Sequence, residues 1–588
     1  MPGGRRPNVI VILTDDQGCW AMGCAGNPEL RTPNLDRLAD EGIRFKNFFC
    51  TSPVCSPARA SLLTGRIPSQ HGVHDWIRAG NSPCEPERDG KLIDYLGVRP
   101  ETGLGRAAAI SAQVKARGRR RAPEALQGRA TQRCVANGTG PKGWGVAGPS
   151  AASELLRDAR THHHRRASLH MAPRRSQRGQ IQFPAGPLTG QTTYVGLLAR
   201  AGYTCGLSGK WHLGDAHHPP KAYASWLAHA RGGGDYYGAP LVADESHIYL
   251  EPRYVTDVFT EGALDFLDRH AGGEAPFYLS LHYTAPHSPW RRDQHPAEYF
   301  DPYYEDCPFE SVPDLPAHPW AEANHIFLDD PEKRREFLSG YYASIEAMDA
   351  GVGRVLDWLE RNELRKDTLI LFVSDNGMNM GHHGICGKGN GTRPLNMYDT
   401  SVKVPAIISR PGHVPAGQVC DAQYSQYDFM PTLMDYLELP LPDAEELPGR
   451  SFAPLLEGEE PAERPVVVFD EYGYTRMIRT PEAKYVHRYP DGPHEFYDLT
   501  EDPEEQWNRF EDPECRQRIR AMRREMEQWF ARYVVPERDG ADLGVNGWGQ
   551  VGTCAEARAG QAAFCDEFPH DWWREPRSEY TIEASGKR

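Results

Sequence analysis

The sequence predicts an α/β fold: a mostly parallel central sheet with helices on both faces, plus a smaller C-terminal α+β subdomain with a short antiparallel sheet. Three observations carry this expectation. Uninterrupted apolar, β-branched runs alternate with helical patterns up to about residue 460, as in a sheet covered on both sides. Past that point short strand patterns crowd together before one charged helix, as in a small antiparallel unit. Four of the apolar runs end in ionisable residues, and α/β sheets gather ligands at the carboxyl ends of their strands.

Residues 8–16, NVIVILTDD, are a continuous apolar run closed by two acids, the pattern of a strand buried on both faces. Residues 32–42 read as a helix, with Thr32 as cap, Pro33 in the first turn and Gly42 as the stop. A second helix starts at Pro57, just behind Cys55, and ends at Gly65. Further strand runs fall at 203–207, 277–282, 368–374 and 402–409, with helices at 254–270 and 334–361. These elements define a first domain, 1–460. The second, 461–588, has strand candidates at 464–470, 475–479 and 484–488, followed by Phe496-Tyr-Asp-Leu499 and a charged helix near 515–533. Its last ~50 residues follow neither a helical nor a strand period.

The composition is that of a globular chain, with 39% hydrophobic and 25% charged residues. No apolar run approaches the ~18 residues that span a membrane, so no membrane partner is expected. No cleavage site follows an apolar segment near the N-terminus, which points to a cytoplasmic protein. The 13 cysteines are odd in number and scattered, which suits free thiols. A net charge of −15 argues against nucleic-acid binding. That charge is uneven. Residues 97–189 hold 17 basic side chains against 4 acidic ones, a local net of +13 that leaves −28 for the rest. The block has no apolar period and reads as a disordered basic insertion or as translated non-coding sequence. It is expected to leave a surface loop without changing the core.

Asp15 and Asp16 end the first strand. Lys210 and His212 follow the run at 203–207, His282 and His287 the run at 277–282, and Asp375 and Asn376 the run at 368–374. Four segments thus bring polar groups to one expected sheet edge. Two carboxylates ~4 Å apart repel by ~4 kcal/mol at an effective dielectric of 20, and a divalent cation removes that cost. Carboxylates with the Asn376 amide suit Ca²⁺ or Mg²⁺ rather than Zn²⁺. The same acids also read as caps of a loop, and spacing alone leaves both readings open. Cys55 stands before a helix N-terminus, which favours an anion, with Arg59 one turn in. It reads either as a low-pKa nucleophile or as a packing residue.

Cys55-Ser-Pro-Ala-Arg59 followed by Ser61-Leu-Leu-Thr-Gly65 resembles the signature of the type I sulfatases, in the alkaline-phosphatase-like superfamily. The resemblance takes in residues 8–16, 32–36, 209–214 (GKWHLG), 286–289, 374–377, Gly387-Lys388 and 496–503. It implies that Cys55 is oxidised to formylglycine by a maturation enzyme. The aldehyde hydrate, on a bound cation, attacks the sulfur of a sulfate ester, and its second hydroxyl later expels sulfate. Asp15, Asp16, Asp375, Asn376 and the modified Cys55 would then hold Ca²⁺, with Mg²⁺ as the other candidate. Arg59, Lys210 and Lys388 would neutralise charge on the sulfuryl group. His287 or Lys388 would protonate the leaving alcohol, and His212 would accept the proton that releases sulfate. His282, His383, His71, His74 and Trp76 are further candidates to line the site. The resemblance implies hydrolysis of a small-molecule or carbohydrate sulfate ester. Phosphonate monoester or phosphodiester hydrolysis and an inactive anion-binding relative are the alternatives.

Overall fold

A computed structural model describes residues 6–77, 186–243, 249–321, 330–460 and 468–565, all within one compact unit. The basic block lies outside the described residues except for 186–189. Strands β1 (Asn8–Thr14), β2 (Gly42–Phe49), β3 (Thr204–Lys210), β4 (Tyr223–His229), β5 (Ala239–Ala243), β6 (Tyr249–Glu251), β7 (Phe277–His282) and β8 (Thr368–Ser374) are followed by a two-stranded ribbon, β9 (Asn379–Met380) with β10 (Cys386–Gly387). β11 (Lys403–Ser409) and β12 (Gln418–Ser425) complete the main sheet. Its order is β12-β2-β11-β8-β1-β7-β3-β4-β5-β6.

β1 lies at the centre, parallel to both β7 and β8, with Val9 opposite Tyr278 on one side and Leu369 on the other. β3 is parallel to β7, so β1, β3, β7 and β8 deliver their carboxyl ends to one edge. The chain reverses its direction of progress across the sheet at β1, which is where α/β sheets open a crevice. The seven residues of β1 are all buried because both faces are covered. Val9, Val11 and Leu13 pack with Leu62 and Leu63 of α2 (Cys55–Thr64), Leu198 of α3 (Tyr194–Arg200) and Leu433 of α6 (Gln426–Tyr436). Ile10 and Ile12 face the opposite way, onto Leu35 of α1 (Pro33–Asp40), Phe259 of α4 (Val255–His270) and Tyr341 of α5 (Pro331–Arg361).

The central strands appear where the apolar runs predict them. The outer ones, β2, β4, β5, β6 and β12, have no counterpart among the expected elements. β2, β4, β6 and β12 mix in polar residues, β5 is apolar but only five residues long, and β11 runs antiparallel to both of its neighbours. A second sheet, β13 (Val468–Tyr472), β14 (Thr475–Arg479), β15 (Ala483–Arg488) and β16 (Glu495–Asp498), is antiparallel throughout. Helix α7 (Arg516–Tyr533) lays Ile519, Met522, Met526 and Phe530 on it, a three-four-four spacing that puts these side chains on one helix face. Among the described residues, no helix is long and apolar enough to cross a membrane.

Candidate active site

The edge formed by β1, β3, β7 and β8 carries a closed cluster of charges. Helix α2 begins at Cys55 itself, with Val54 as its N-cap, two residues earlier than its Pro57 suggests. All ten residues of α2 are buried, and Gly65 ends it in the left-handed conformation. This burial fixes Cys55 beneath the end of β1. Its Sγ lies 3.2 Å from Asp15 Oδ1 and 4.0 Å from Asp16 Oδ1, and Lys388 Nζ donates to it at 2.8 Å. Oxygens of Asp15, Asp16 and Asp375 and the Cys55 sulfur all fall within 4.8 Å of one another.

Three carboxylates here meet three cations. Lys210 is ion-paired with Asp15, and Lys388 with Asp16. Arg59 Nε donates to Asp375 Oδ2 at 2.8 Å, and its Nη2 is 3.8 Å from Asp15 Oδ2. Asp375 Oδ1 accepts the backbone N–H groups of Asp16 (3.2 Å) and Asn376 (2.8 Å). The Asn376 amide nitrogen donates to Asp16 Oδ1 at 2.8 Å, while its oxygen is buried with no hydrogen-bond partner among the described residues. Burial acts to raise the Asp15 carboxyl, but Lys210, His287 and Arg59 beside it hold it well below the usual range. Burial and the charge of Asp15 push Asp375 the other way, up to about 6. Burial, then Asp15, raises the Cys55 thiol, so the unmodified sulfur is not poised as a thiolate. A dense set of carboxylates with one orphaned amide oxygen is the donor chemistry of a hard divalent cation. The residues fit such an ion.

The histidines divide. His287, its side chain 15% exposed, places Nε2 3.7 Å from Asp16 Oδ2. His212 is buried, its Nε2 3.0 Å from the Ile77 carbonyl oxygen and its Nδ1 unpartnered among the described residues. Burial lowers both imidazoles. His282 reaches the Lys210 carbonyl oxygen at 3.3 Å. The others sit on structural contacts: His71 on Ser61, His74 on the Arg538 carbonyl, His383 stacked on Tyr398, and Trp76 donating to the Gly547 carbonyl.

Several supporting residues carry no local sequence signal. Gln426, at the start of α6, donates to the Asp375 carbonyl at 2.7 Å. The Tyr341 hydroxyl donates to the Asp16 carbonyl at 2.9 Å, beside a backbone that takes a left-handed φ of 64° at Asp16. Gly209 has φ 130°, and a β-carbon there would stand 1.8 Å from the His282 carbonyl oxygen. A β-carbon on Gly232 would stand 2.1 Å from His212 Nε2, so only glycine lets that loop pass over the ring.

A family model described as Sulfatase matches residues 7–96 and 156–439, and one described as N-sulphoglucosamine sulphohydrolase, C-terminal, matches 393–532. Residues 97–155 fall outside both. The chain is 24% identical to an N-acetylglucosamine-6-O-sulfatase of Bacteroides thetaiotaomicron, over 91% of this chain and 88% of that one. It is 25% identical to an arylsulfatase of Clostridium perfringens, over 92% and 96%. A solved structure in complex with its substrate D-glucosamine-2-N,6-O-disulfate shares the fold, with a TM-score of 0.60 and 22% identity over 92% of this chain and 100% of that one. The phosphonate monoester hydrolase of Agrobacterium radiobacter shares it at a TM-score of 0.55 and 19% identity, over 90% and 96%.

Proposed function

The chain belongs to the sulfatase family and is a sulfuric-ester hydrolase, and from that premise we propose that it releases sulfate from a sulfated carbohydrate through a formylglycine made from Cys55. The observation that carries the reading is the setting of Cys55. It lies in the first turn of a buried helix, touched by Lys388 and by Asp15 of the carboxylate cluster. The sugar substrate is supported by the names of the relatives, several of which act on sulfated amino sugars.

A hydrated formylglycine supplies two geminal hydroxyls, one to attack sulfur and one to let the sulfate go. Asp15, Asp16, Asp375 and Asn376 would hold Ca²⁺, which supplies charge to bind the sulfate oxygens and acidify a hydroxyl. The protein's own groups do the rest. The buried Lys210, Lys388 and Arg59 offset negative charge that grows on the sulfuryl oxygens. His287, its side chain partly exposed beside Asp16, donates a proton to the departing sugar oxygen. Neutral His212 accepts the proton whose loss releases sulfate.

Paired initial rates on an aryl sulfate, a panel of sulfated amino sugars and a phenyl phosphonate test the reading. Preference for the phosphonate overturns it in favour of the phosphonate hydrolase reading. Mass spectrometry of the Cys55 peptide, co-expressed with a maturation enzyme, should show a loss of about 18 Da relative to cysteine. Cys55→Ala should abolish turnover in a folded protein.

A further inference from the structure

The tail that follows helix α7 shows no period in the sequence and lies beyond the C-terminal family match. It returns to the segment between helix α2 and Ile77. Gln550, 2% exposed, is the centre of this contact. Its backbone N–H donates to the Trp76 carbonyl at 2.8 Å, and it bridges Ile77 in parallel and Phe564 in antiparallel fashion. Its side-chain oxygen accepts the N–H groups of His74 (2.8 Å) and Asp75 (3.3 Å), and its amide nitrogen donates to the Gly72 carbonyl at 3.1 Å. The Gly549 N–H donates to one Asp75 oxygen at 3.1 Å, and the Tyr472 hydroxyl to the other at 2.6 Å. The Gly547 carbonyl accepts from Trp76 Nε1 at 3.1 Å and from Asn390, two residues past Lys388, at 3.2 Å. The loop 72–77 is thus held by the tail at almost every residue.

What that loop delivers is Ile77. Its N–H donates to Ser56 Oγ at 3.0 Å, and Ser56 Oγ donates to the His212 carbonyl at 2.9 Å. Its own carbonyl faces His212 Nε2 at 3.0 Å. A carbonyl only accepts, so the ring nitrogen facing it carries the proton. The lone pair of the neutral ring then lies on Nδ1, the atom left buried and unpartnered among the described residues. A neutral imidazole with its acceptor nitrogen free is the form a proton acceptor needs.

We propose that Gln550 is a positioning residue, which sets the tautomer and placement of His212 through the Gly72–Ile77 loop and so makes the tail part of the working site. The inference rests on the reading of His212 as proton acceptor. The test is a double-mutant cycle with kcat and KM on an aryl sulfate, and melting temperatures alongside. Gln550→Ala should lower kcat roughly 10- to 100-fold, as for a misplaced catalytic group, with KM within about twofold. His212→Ala should lower kcat by roughly 10²-fold or more. In that background Gln550→Ala should cost less than about twofold further, because the two act as one unit. Wild-type kcat in Gln550→Ala with a clear loss in His212→Ala overturns this inference alone. Equal losses from Gln550→Ala in both backgrounds also overturn it, by showing a general structural effect. Wild-type kcat in His212→Ala overturns the base assignment and this inference with it. Should Gln550→Ala not fold, Gln550→Glu keeps the acceptor for His74 and loses the donor to Gly72, and the same cycle decides.

Discussion

Removing the Lys210 side chain separates what this lysine does for the fold from what it does for the reaction. Its ammonium is fully buried and ion-paired with Asp15, which is also fully buried. In Lys210→Ala the Asp15 carboxylate keeps only Arg59 Nη2, at 3.8 Å, as a cation on the same oxygen. Breaking a buried pair costs about 3–5 kcal/mol, and the second cation places this case at the low end, ~3 kcal/mol. A divalent ion on the carboxylates replaces the lost charge, so the melting temperature of Lys210→Ala should fall sharply in chelator and recover with Ca²⁺. The catalytic loss should not recover. Loss of one charge-stabilising contact costs roughly 10²–10³-fold in turnover, ~2.7–4 kcal/mol. The assay is kcat/KM on an aryl sulfate with thermal melts, each with and without Ca²⁺. If kcat/KM drops less than tenfold (about 1.4 kcal/mol), or if Ca²⁺ restores it with the melting temperature, the assignment of Lys210 to the transition state is refuted.

Three further outcomes follow from the geometry. Asp375→Asn removes the acceptor of Arg59 Nε and one carboxylate of the cluster; calorimetric titration should show Ca²⁺ binding weakened at least tenfold, and unchanged affinity would place the ion elsewhere. Gly209→Ala drives a β-carbon into the His282 carbonyl, so β3 and β7 must part and Lys210 must move; melting temperature and activity should both fall, and a wild-type melt would show that the sheet yields freely there. Burial holds His74, His229 and His383 down to about 4 and His282, His295, His382 and His487 down to about 3. Their folded values lie below the unfolded value near 6.5, so the unfolded chain binds more protons and stability is lost as pH falls from about 6.5 through 4. Asp75, Asp349 and Asp375, raised to about 6 by burial, and Glu505, raised to about 7 by burial, act in the opposite sense but are outnumbered. Melting temperatures that stay flat from pH 7 to 4.5 would contradict this balance.

What could be read from the sequence was set by how completely each element is buried. β1 is covered on both faces, so nothing polar interrupts it and its apolar run is plain. β12 lies at the sheet edge with Gln418 and Val419 exposed, and its mixed composition hides it. The charged side chains were legible because they cluster at strand ends beside glycines and prolines. Tyr341 and Gln426 were not, because each acts from a helix through backbone carbonyls, which any donor of the right length satisfies. Gln550 was hidden for a similar reason. Its role depends on where an irregular tail returns, and no periodic pattern encodes such a return.

The placement of β1 between β7 and β8 also bears on how the chain is made. This strand leaves the ribosome well before its two neighbours, residues 277–282 and 368–374. At ~5–20 residues per second, this seven-residue strand with its apolar stretch Val9–Leu13 waits on the order of 15–50 s for the first partner, and longer for the second. Throughout that interval it offers an unpaired, β-branched segment to any passing strand. Synthesis in cells should therefore depend on a chaperone that shields nascent β1 until translation has passed β8.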